Sequence, residues 1–168
     1  PLGVAQATTI LVGRAVGRED PGGARRAAGA GLLTGAAFMT GTALLFLLAP
    51  EPLARVYSRD APVLAVAAAL IPVAGVFQVF DGLQVVATAV LRGVGDTRIP
   101  MILHVAGFWM VGLPISLWLA FGLGAGPVGL WWGLVAGLAA VAVLLLLRVR
   151  VRFSRELRKL DIEGSGGG

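Results

Sequence analysis

The sequence predicts an all-α, polytopic membrane protein with five transmembrane helices. Hydrophobic residues make up 57% of the 168 positions and charged residues only 14%, whereas a soluble domain carries about 25% charged residues. The charges are also unevenly spread, because long stretches contain none. A spanning helix needs about 20 apolar residues, so these stretches predict several crossings. The three longest are residues 27–50, 61–80 and 99–147.

The first two predicted helices are separated by a short polar segment. The first covers residues 1–17, and we expect it to be truncated because the chain opens without an initiator Met. Pro21 and the two glycines after it are predicted to break the chain before a second helix at 24–48. Pro50 is expected to end that helix, and residues 53–60 are predicted to form a polar connector.

The third predicted helix, residues 62–91, is longer than a bilayer requires. At about 1.5 Å per residue it reaches about 45 Å, against a hydrocarbon core of ~30 Å. A tilt of the helix, or a kink at Pro72, would absorb the excess. The polar segment 92–98 is predicted to be the loop that follows it.

The long uncharged stretch that follows must hold two helices. Residues 123–127 contain two glycines and a proline, and we expect them to separate helices at 99–121 and 128–149. These five helices form a predicted transmembrane bundle over residues 1–149. Residues 150–168 are predicted to be a basic cytoplasmic tail with a glycine-rich end, which is either native or an engineered linker.

Cations predict the orientation of the bundle. With five crossings, the 18–26 loop, the 92–98 loop and the C-terminal segment share one face, which carries eleven Lys and Arg residues. The opposite face carries Arg55 and Arg59. Cytoplasmic loops are enriched in Lys and Arg, so we expect a multi-pass protein of the inner or plasma membrane with a cytoplasmic C-terminus. The same distribution explains the high pI without a nucleic acid partner.

Several common enzyme classes are excluded by the residue inventory. The chain has no Cys, one His and one Lys, and that Lys is followed by Leu160 rather than by Ser or Thr. Thiol chemistry, a His-cluster metal site and a Walker-type nucleotide loop are therefore absent from the sequence. We expect neither an enzyme nor a cofactor, and any transport must use an ion gradient or ATP hydrolysed on another chain.

Small residues recur at four-residue spacing in three of the predicted helices. This spacing lets helix backbones approach each other closely in lipid. Tight packing within one bundle is the simpler interpretation, and a dedicated dimer interface is the alternative. The positions are Gly13 and Gly17, Gly31 and Gly35, and Gly129, Gly133 and Gly137.

Asp81 is the most informative residue, because it lies inside the third predicted helix with no other charge between 61 and 91. A carboxylate at that depth costs several kcal/mol unless it faces a cavity, has a partner or is protonated. Gln78, Gln84 and Thr88 lie at −3, +3 and +7 from it and share its helix face. This polar stripe predicts an ion or proton site, with a structural hydrogen-bonded carboxyl as the alternative.

Other polar and aromatic residues are weaker candidates. Gln6 and Thr9 share a face of the first predicted helix. They could line a cavity together with Asp81, or they could form hydrogen bonds with a neighbouring helix. Trp109 could stack on a cationic substrate, although core packing is favoured. For His104, an interfacial or packing role is favoured over a proton relay.

Three stretches resemble the multidrug and toxic compound extrusion (MATE) transporters. Residues 5–17, AQATTILVGRAVG, with 24–27, ARRA, resemble the eighth helix of that family and the loop after it. Residues 80–100, FDGLQVVATAVLRGVGDTRIP, resemble the tenth helix and its exit loop, and residues 107–114, GFWMVGLP, resemble the eleventh.

This resemblance implies part of one lobe of a two-lobe transporter that exchanges Na⁺ or H⁺ for cationic or amphiphilic drugs by alternating access. Asp81 matches an acidic residue that some members use to bind the coupling ion. The N-terminal lobe, and an acidic partner on the seventh helix, are expected to precede Pro1. The alternatives are a flippase of similar fold for lipids or polyisoprenoid-linked substrates, and a membrane scaffold or the membrane part of an ATP-driven complex.

Overall fold

The computed structural model describes residues 1–57 and 59–165, and within these ranges the chain is helical and contains no strand. The all-α prediction is therefore confirmed. Five long helices are joined by short turns, with a small additional helix between the second and third of them. The helices are α1 (Leu2–Gly17), α2 (Pro21–Leu48), α3 (Pro50–Tyr57), α4 (Ala61–Gly93), α5 (Arg98–Gly122) and α6 (Gly126–Ser165).

The turn between α1 and α2 is tighter than the sequence analysis predicted. Glu19 adopts a positive φ of 55°, and the backbone N–H of Gly23 donates to Asp20 Oδ1 at 2.7 Å. Asp20 thus caps α2, and Pro21 takes the first helical position, where its missing N–H costs nothing. The prolyl-glycine segment predicted to break the chain is instead the first turn of α2.

The predicted connector at 53–60 is also partly helical. Pro50 does not continue α2 but begins α3, since a proline is tolerated in a first helical turn. Glu51 stabilises that turn through the helix dipole and forms an ion pair with Arg55 at 3.5 Å. Ala54 is buried, and α3 packs against α4.

The last helix continues past its predicted end at residue 149. It extends through Ser165, so most of the segment predicted as a tail is helical. No proline or glycine stands between 149 and 163 to stop it. The last residues of the predicted glycine-rich end, 166–168, lie outside the described residues.

Glycines bring α5 and α6 into backbone contact. A Cβ atom added to Gly137 would lie 2.6 Å from the Cα of Gly112, and one added to Gly129 would lie 2.8 Å from the carbonyl carbon of Leu119. Gly133 faces Ser116 equally closely. The small-residue spacing on α6 therefore serves packing within the bundle. Within α5, Gly107–Gly112 and Trp118–Gly122 are π-helical, and Pro114, which cannot donate a backbone hydrogen bond, lies between them.

Within the described residues, four helices are long and apolar enough to cross a membrane, namely α2, α4, α5 and the part of α6 up to Ser154. The first helix is apolar but has 16 residues, or about 24 Å. Large apolar side chains such as Leu33, Phe38 and Met110 are exposed around the bundle, as expected for a surface in contact with lipid. The protein is a multi-pass membrane protein.

The helix ends that carry most of the described cations lie on one side of the bundle, here named the basic face. It comprises the α1–α2 turn, the α4–α5 loop and the end of the membrane-spanning part of α6, around Arg150. The C-terminal turns of α1 and α4 meet where Gly13 approaches the carbonyl oxygen of Gly93. Arg148 of α6 binds Asp96 of the α4–α5 loop, with Arg148 Nε 2.9 Å from Asp96 Oδ2.

We expect Gly137→Val to destabilise the bundle, because the new side chain would collide with the backbone of α5. Overpacking of this kind costs about 1–3 kcal/mol or more. Thermal unfolding followed by circular dichroism in detergent should show a midpoint several degrees lower than that of the unsubstituted chain.

The matched control is Gly41→Val on α2, where an added Cβ meets nothing within 4 Å. Both substitutions place the same β-branched residue in a helix, so they share the same intrinsic propensity cost. Equal midpoints for the two variants would show that the α5–α6 contact is not tight.

Candidate functional site

Asp81 lies on α4, twelve residues before the end of that helix at Gly93, or about 18 Å from the basic face. Its side chain is partly buried. Gln84 Nε2 donates a hydrogen bond to Asp81 Oδ1 at 3.1 Å. One turn of helix thus places an amide donor against the carboxylate, which compensates part of the cost of holding it away from water.

Gln84 also bonds across to α5. Its side chain is buried, with 9% relative exposure, and its Oε1 meets His104 Nε2. The other ring nitrogen, His104 Nδ1, hydrogen-bonds the carbonyl oxygen of Pro100 at 2.7 Å. Asp81, Gln84 and His104 therefore form a continuous series of hydrogen-bonded side chains from the interior of α4 to α5, here named the polar chain.

The partners in the polar chain restrict where its protons lie. The Pro100 carbonyl and Gln84 Oε1 can only accept, so His104 donates to both when its imidazole carries two protons. The Gln84 amide then donates to an ionised Asp81. If the amide rotates by half a turn, its NH₂ group donates to a neutral His104 and its oxygen accepts from a protonated Asp81. The two patterns hold the same number of protons. In the first, the second proton of the imidazole is on His104, and in the second that proton is on Asp81.

A cavity of about 520 Å³ opens beside the polar chain, between α1, α4 and α5. Its polar lining includes five of the residues singled out in the sequence. Thr9 Oγ1 also donates to the carbonyl oxygen of Ala89 on α4 at 3.1 Å. The structure thus brings Gln6 and Thr9 of α1 to the polar face of α4. The polar lining residues are Gln6, Thr9, Gln84, Thr88, Arg92 and His104.

Three predicted site residues lie elsewhere. Asp81 and Gln78 are not among the lining residues of this cavity, and Gln78 Nε2 is buried with no hydrogen-bond partner in the described part of the chain. Trp109 is 69% exposed on the outside of the bundle and does not line this cavity, so its contact with a substrate stays a prediction.

A second, smaller cavity of about 180 Å³ lies under the α4–α5 loop and includes Asp96 and Thr97. Three residues line both cavities, namely Thr88, Arg92 and His104. His104 therefore lies between the larger cavity and the loop of the basic face. Asp96, whose side chain is 9% exposed, holds that loop to α6 through Arg148.

The pairing of His104 with Gln84 was not predicted, although the sequence carries a signal for it. Gln84 lies ten residues before the α4–α5 loop at 94–97, and His104 lies seven residues after it. In two antiparallel helices these positions differ in depth by three residues, less than one helical turn. Counting the residues from the loop to Gln84 and to His104 would have predicted that the two side chains lie at a similar depth.

Among the described residues, no cluster of three or more His, Asp or Glu side chains could hold a metal ion.

Comparisons with known proteins are consistent with this architecture. A family model described as MatE matches residues 1–118. A probable multidrug resistance protein NorM of Xanthomonas campestris is 47% identical over 150 residues, which cover 89% of this chain and 33% of that protein. The multidrug resistance protein NorM of Burkholderia vietnamiensis is 43% identical over 159 residues, covering 92% and 34%.

Two solved structures share the fold. The crystal structure of the eukaryotic MATE transporter AtDTX14 superposes with a TM-score of 0.84 and 25% identity, covering 93% of this chain and 35% of that one. An inward-facing multidrug resistance MATE family transporter superposes with a TM-score of 0.82 and 20% identity, covering 92% and 36%. The chain thus spans about a third of the length of the relatives that it matches.

Proposed function

The chain belongs to the MatE family, and from this premise we propose that it forms part of a cation-coupled multidrug efflux antiporter that works by alternating access. The relatives named as multidrug resistance proteins are about three times its length. In the proposed transporter, this bundle works with a further lobe, and the substrates are small cationic or amphiphilic drugs.

The observation that carries this proposal is the polar chain. A carboxyl group within an apolar helix is costly, and Asp81 is joined by Gln84 to His104, whose imidazole can be neutral or protonated. A purely structural carboxyl would be served as well by donors that do not titrate. The polar chain also borders the larger cavity, which is lined in part by polar groups from α1.

We infer that the coupling ion acts by changing the hydrogen bonds of the polar chain. When a cation is bound at Asp81, the carboxylate needs no donor from Gln84. If His104 then releases its second proton into the cavity that it lines, the amide is free to rotate and donate to the neutral imidazole. Such a change alters how α4 holds α5 beside the cavity and so alters drug affinity. Linkage requires that the drug change the affinity for the ion by the same factor. The presence of His104 favours H⁺ over Na⁺ as the ion.

The alternative is a flippase for anionic lipids or polyisoprenoid-linked substrates. It predicts cations in the cavity, and one such residue, Arg92, lines it. Arg92 belongs to the last turn of α4 and is exposed. Deeper in the bundle, the cavity is lined by the buried Gln84, which bonds the partly buried Asp81. This depth order favours a cationic ion and substrate.

We expect Asp81→Asn to abolish ion-coupled efflux in the full-length transporter that contains this chain. Asn keeps the shape of Asp81 but cannot bind a proton or balance a cation. Ethidium efflux from cells with matched expression should fall at least tenfold. Gln84→Ala should have a smaller effect, because it keeps the carboxylate that binds the ion and removes only the link to His104. Wild-type export by Asp81→Asn, with unchanged pH and Na⁺ dependence, would make Asp81 a structural residue.

A second expectation separates the two ions. In proteoliposomes, an imposed pH gradient should drive drug transport, and a Na⁺ gradient at constant pH should not. His104→Asn keeps a polar group beside Gln84 but removes the titrating ring, so the dependence of the transport rate on pH should flatten. Transport driven equally well by Na⁺ alone would identify sodium as the ion and would leave His104 with a packing role.

For orientation, we propose that the basic face is cytoplasmic, in line with the eleven-to-two distribution of cations. The native chain lacks Cys, so single cysteines can be labelled without background. In intact cells, an impermeant maleimide should label Arg59→Cys and should not label Ser154→Cys until the cells are opened. Labelling of Ser154→Cys but not of Arg59→Cys in intact cells would show that the basic face is on the outside.

A further inference from the structure

A third cavity, of about 540 Å³, lies on the basic face between the start of α2 and the end of α6, and is here named the basic groove. It is separate from the polar chain and its two cavities. Two arginines and several apolar side chains line it. The residues that matter for the argument are Arg25, Gly29 and Leu32 on α2, and Leu146, Arg150 and Phe153 on α6.

Charge and hydrophobicity are separated along the basic groove. Leu32 lies seven residues beyond Arg25 on α2, about 10 Å deeper in the bundle, and Leu146 lies four residues before Arg150 on α6, about 6 Å deeper. Both arginines are therefore at the end nearer the water, and both leucines are at the end nearer the hydrocarbon. This order matches a lipid molecule, with its headgroup at the surface and its acyl chains below.

The charges of the groove indicate an anionic headgroup. The residues lining it include no carboxylate, and neither Arg25 nor Arg150 forms an ion pair with a carboxylate of the described residues. Guanidinium groups bind phosphate oxygens in a bidentate manner. Arg26, the neighbour of Arg25, differs from it in two ways. It pairs with Asp20 at 3.8 Å, and it does not line the groove.

We propose that the basic groove binds an anionic phospholipid, with the phosphate between Arg25 and Arg150 and an acyl chain along Gly29, Leu32 and Leu146. Basic pockets between transmembrane helices are suited to such headgroups. A bound lipid would join the start of α2 to the end of α6. This site is independent of the proposed transport function, because it shares no residue with the polar chain.

The experiment measures lipid binding to the chain in phosphatidylcholine-containing detergent micelles. Dioleoyl-phosphatidylglycerol is titrated in, and the bound lipid is counted by native mass spectrometry. Arg25→Gln and Arg150→Gln should each weaken phosphatidylglycerol binding about fivefold, equivalent to ~1 kcal/mol per basic residue at a membrane surface. The control Arg26→Gln changes the net charge equally and should leave the affinity unchanged. An equal loss in Arg26→Gln would indicate a diffuse surface charge and overturn the site.

A second pair of variants tests the acyl-chain position without changing charge. A side chain added at Gly29 meets no atom within 4 Å of its Cβ, so Gly29→Phe fills the groove without disturbing the fold and should reduce lipid binding at least fivefold. Gly41→Phe, on the same helix and equally open, should have no effect. Retained lipid in Gly29→Phe, or displacement of the lipid by glycerol 3-phosphate at equal concentration, would show that no acyl chain occupies the groove.

Discussion

The structure depends on one constraint, which is that hydrocarbon offers no hydrogen bonds, so every polar group within it needs a partner in the protein. Helices satisfy the backbone, and most short polar side chains return to a carbonyl. Thr8 donates to Val4 of its own helix at 2.7 Å, and Ser116 donates to Leu130 of α6 at 3.0 Å. These bonds involve groups with fixed protonation. The polar chain differs, because two of its members, Asp81 and His104, can gain or lose a proton.

The same constraint explains the use of small residues between helices. Lipid chains are as apolar as leucine, so helices associate through close van der Waals contact rather than through the hydrophobic effect. Glycines provide this contact throughout the bundle. Gly31 receives Thr8 of α1, Gly82 receives Met39 of α2, and Gly137 meets the backbone of α5. The polar side chains are thereby held in a frame of backbones that approach one another closely.

The sequence was sufficient for those features that follow from local chemistry. Runs without charge predicted the long helices, and the spacing of Gln84 and Thr88 from Asp81 predicted a polar face on α4. Features that depend on the relation between helices were harder to predict. His104 acquires its partner only when α5 approaches α4, and Trp109, farther along α5, lies on the outside of the bundle rather than at the cavity. The start of α2 was misplaced because Pro21 is compatible with both a turn and a first helical position.

The position of the polar chain has a mechanical consequence. In the described part of the chain, α4 packs chiefly on α1, α2 and α6, and α5 packs chiefly on α6. Gln84 and His104 therefore join two helices whose backbones are mainly supported by other partners. A hydrogen bond in such a place can change without disrupting a packed interface, whereas changing the α5–α6 contact would require glycine backbones to separate. In the proposed mechanism, a proton or cation at Asp81 would therefore act at a contact that can change without separating packed helices, beside the cavity shared by α1, α4 and α5.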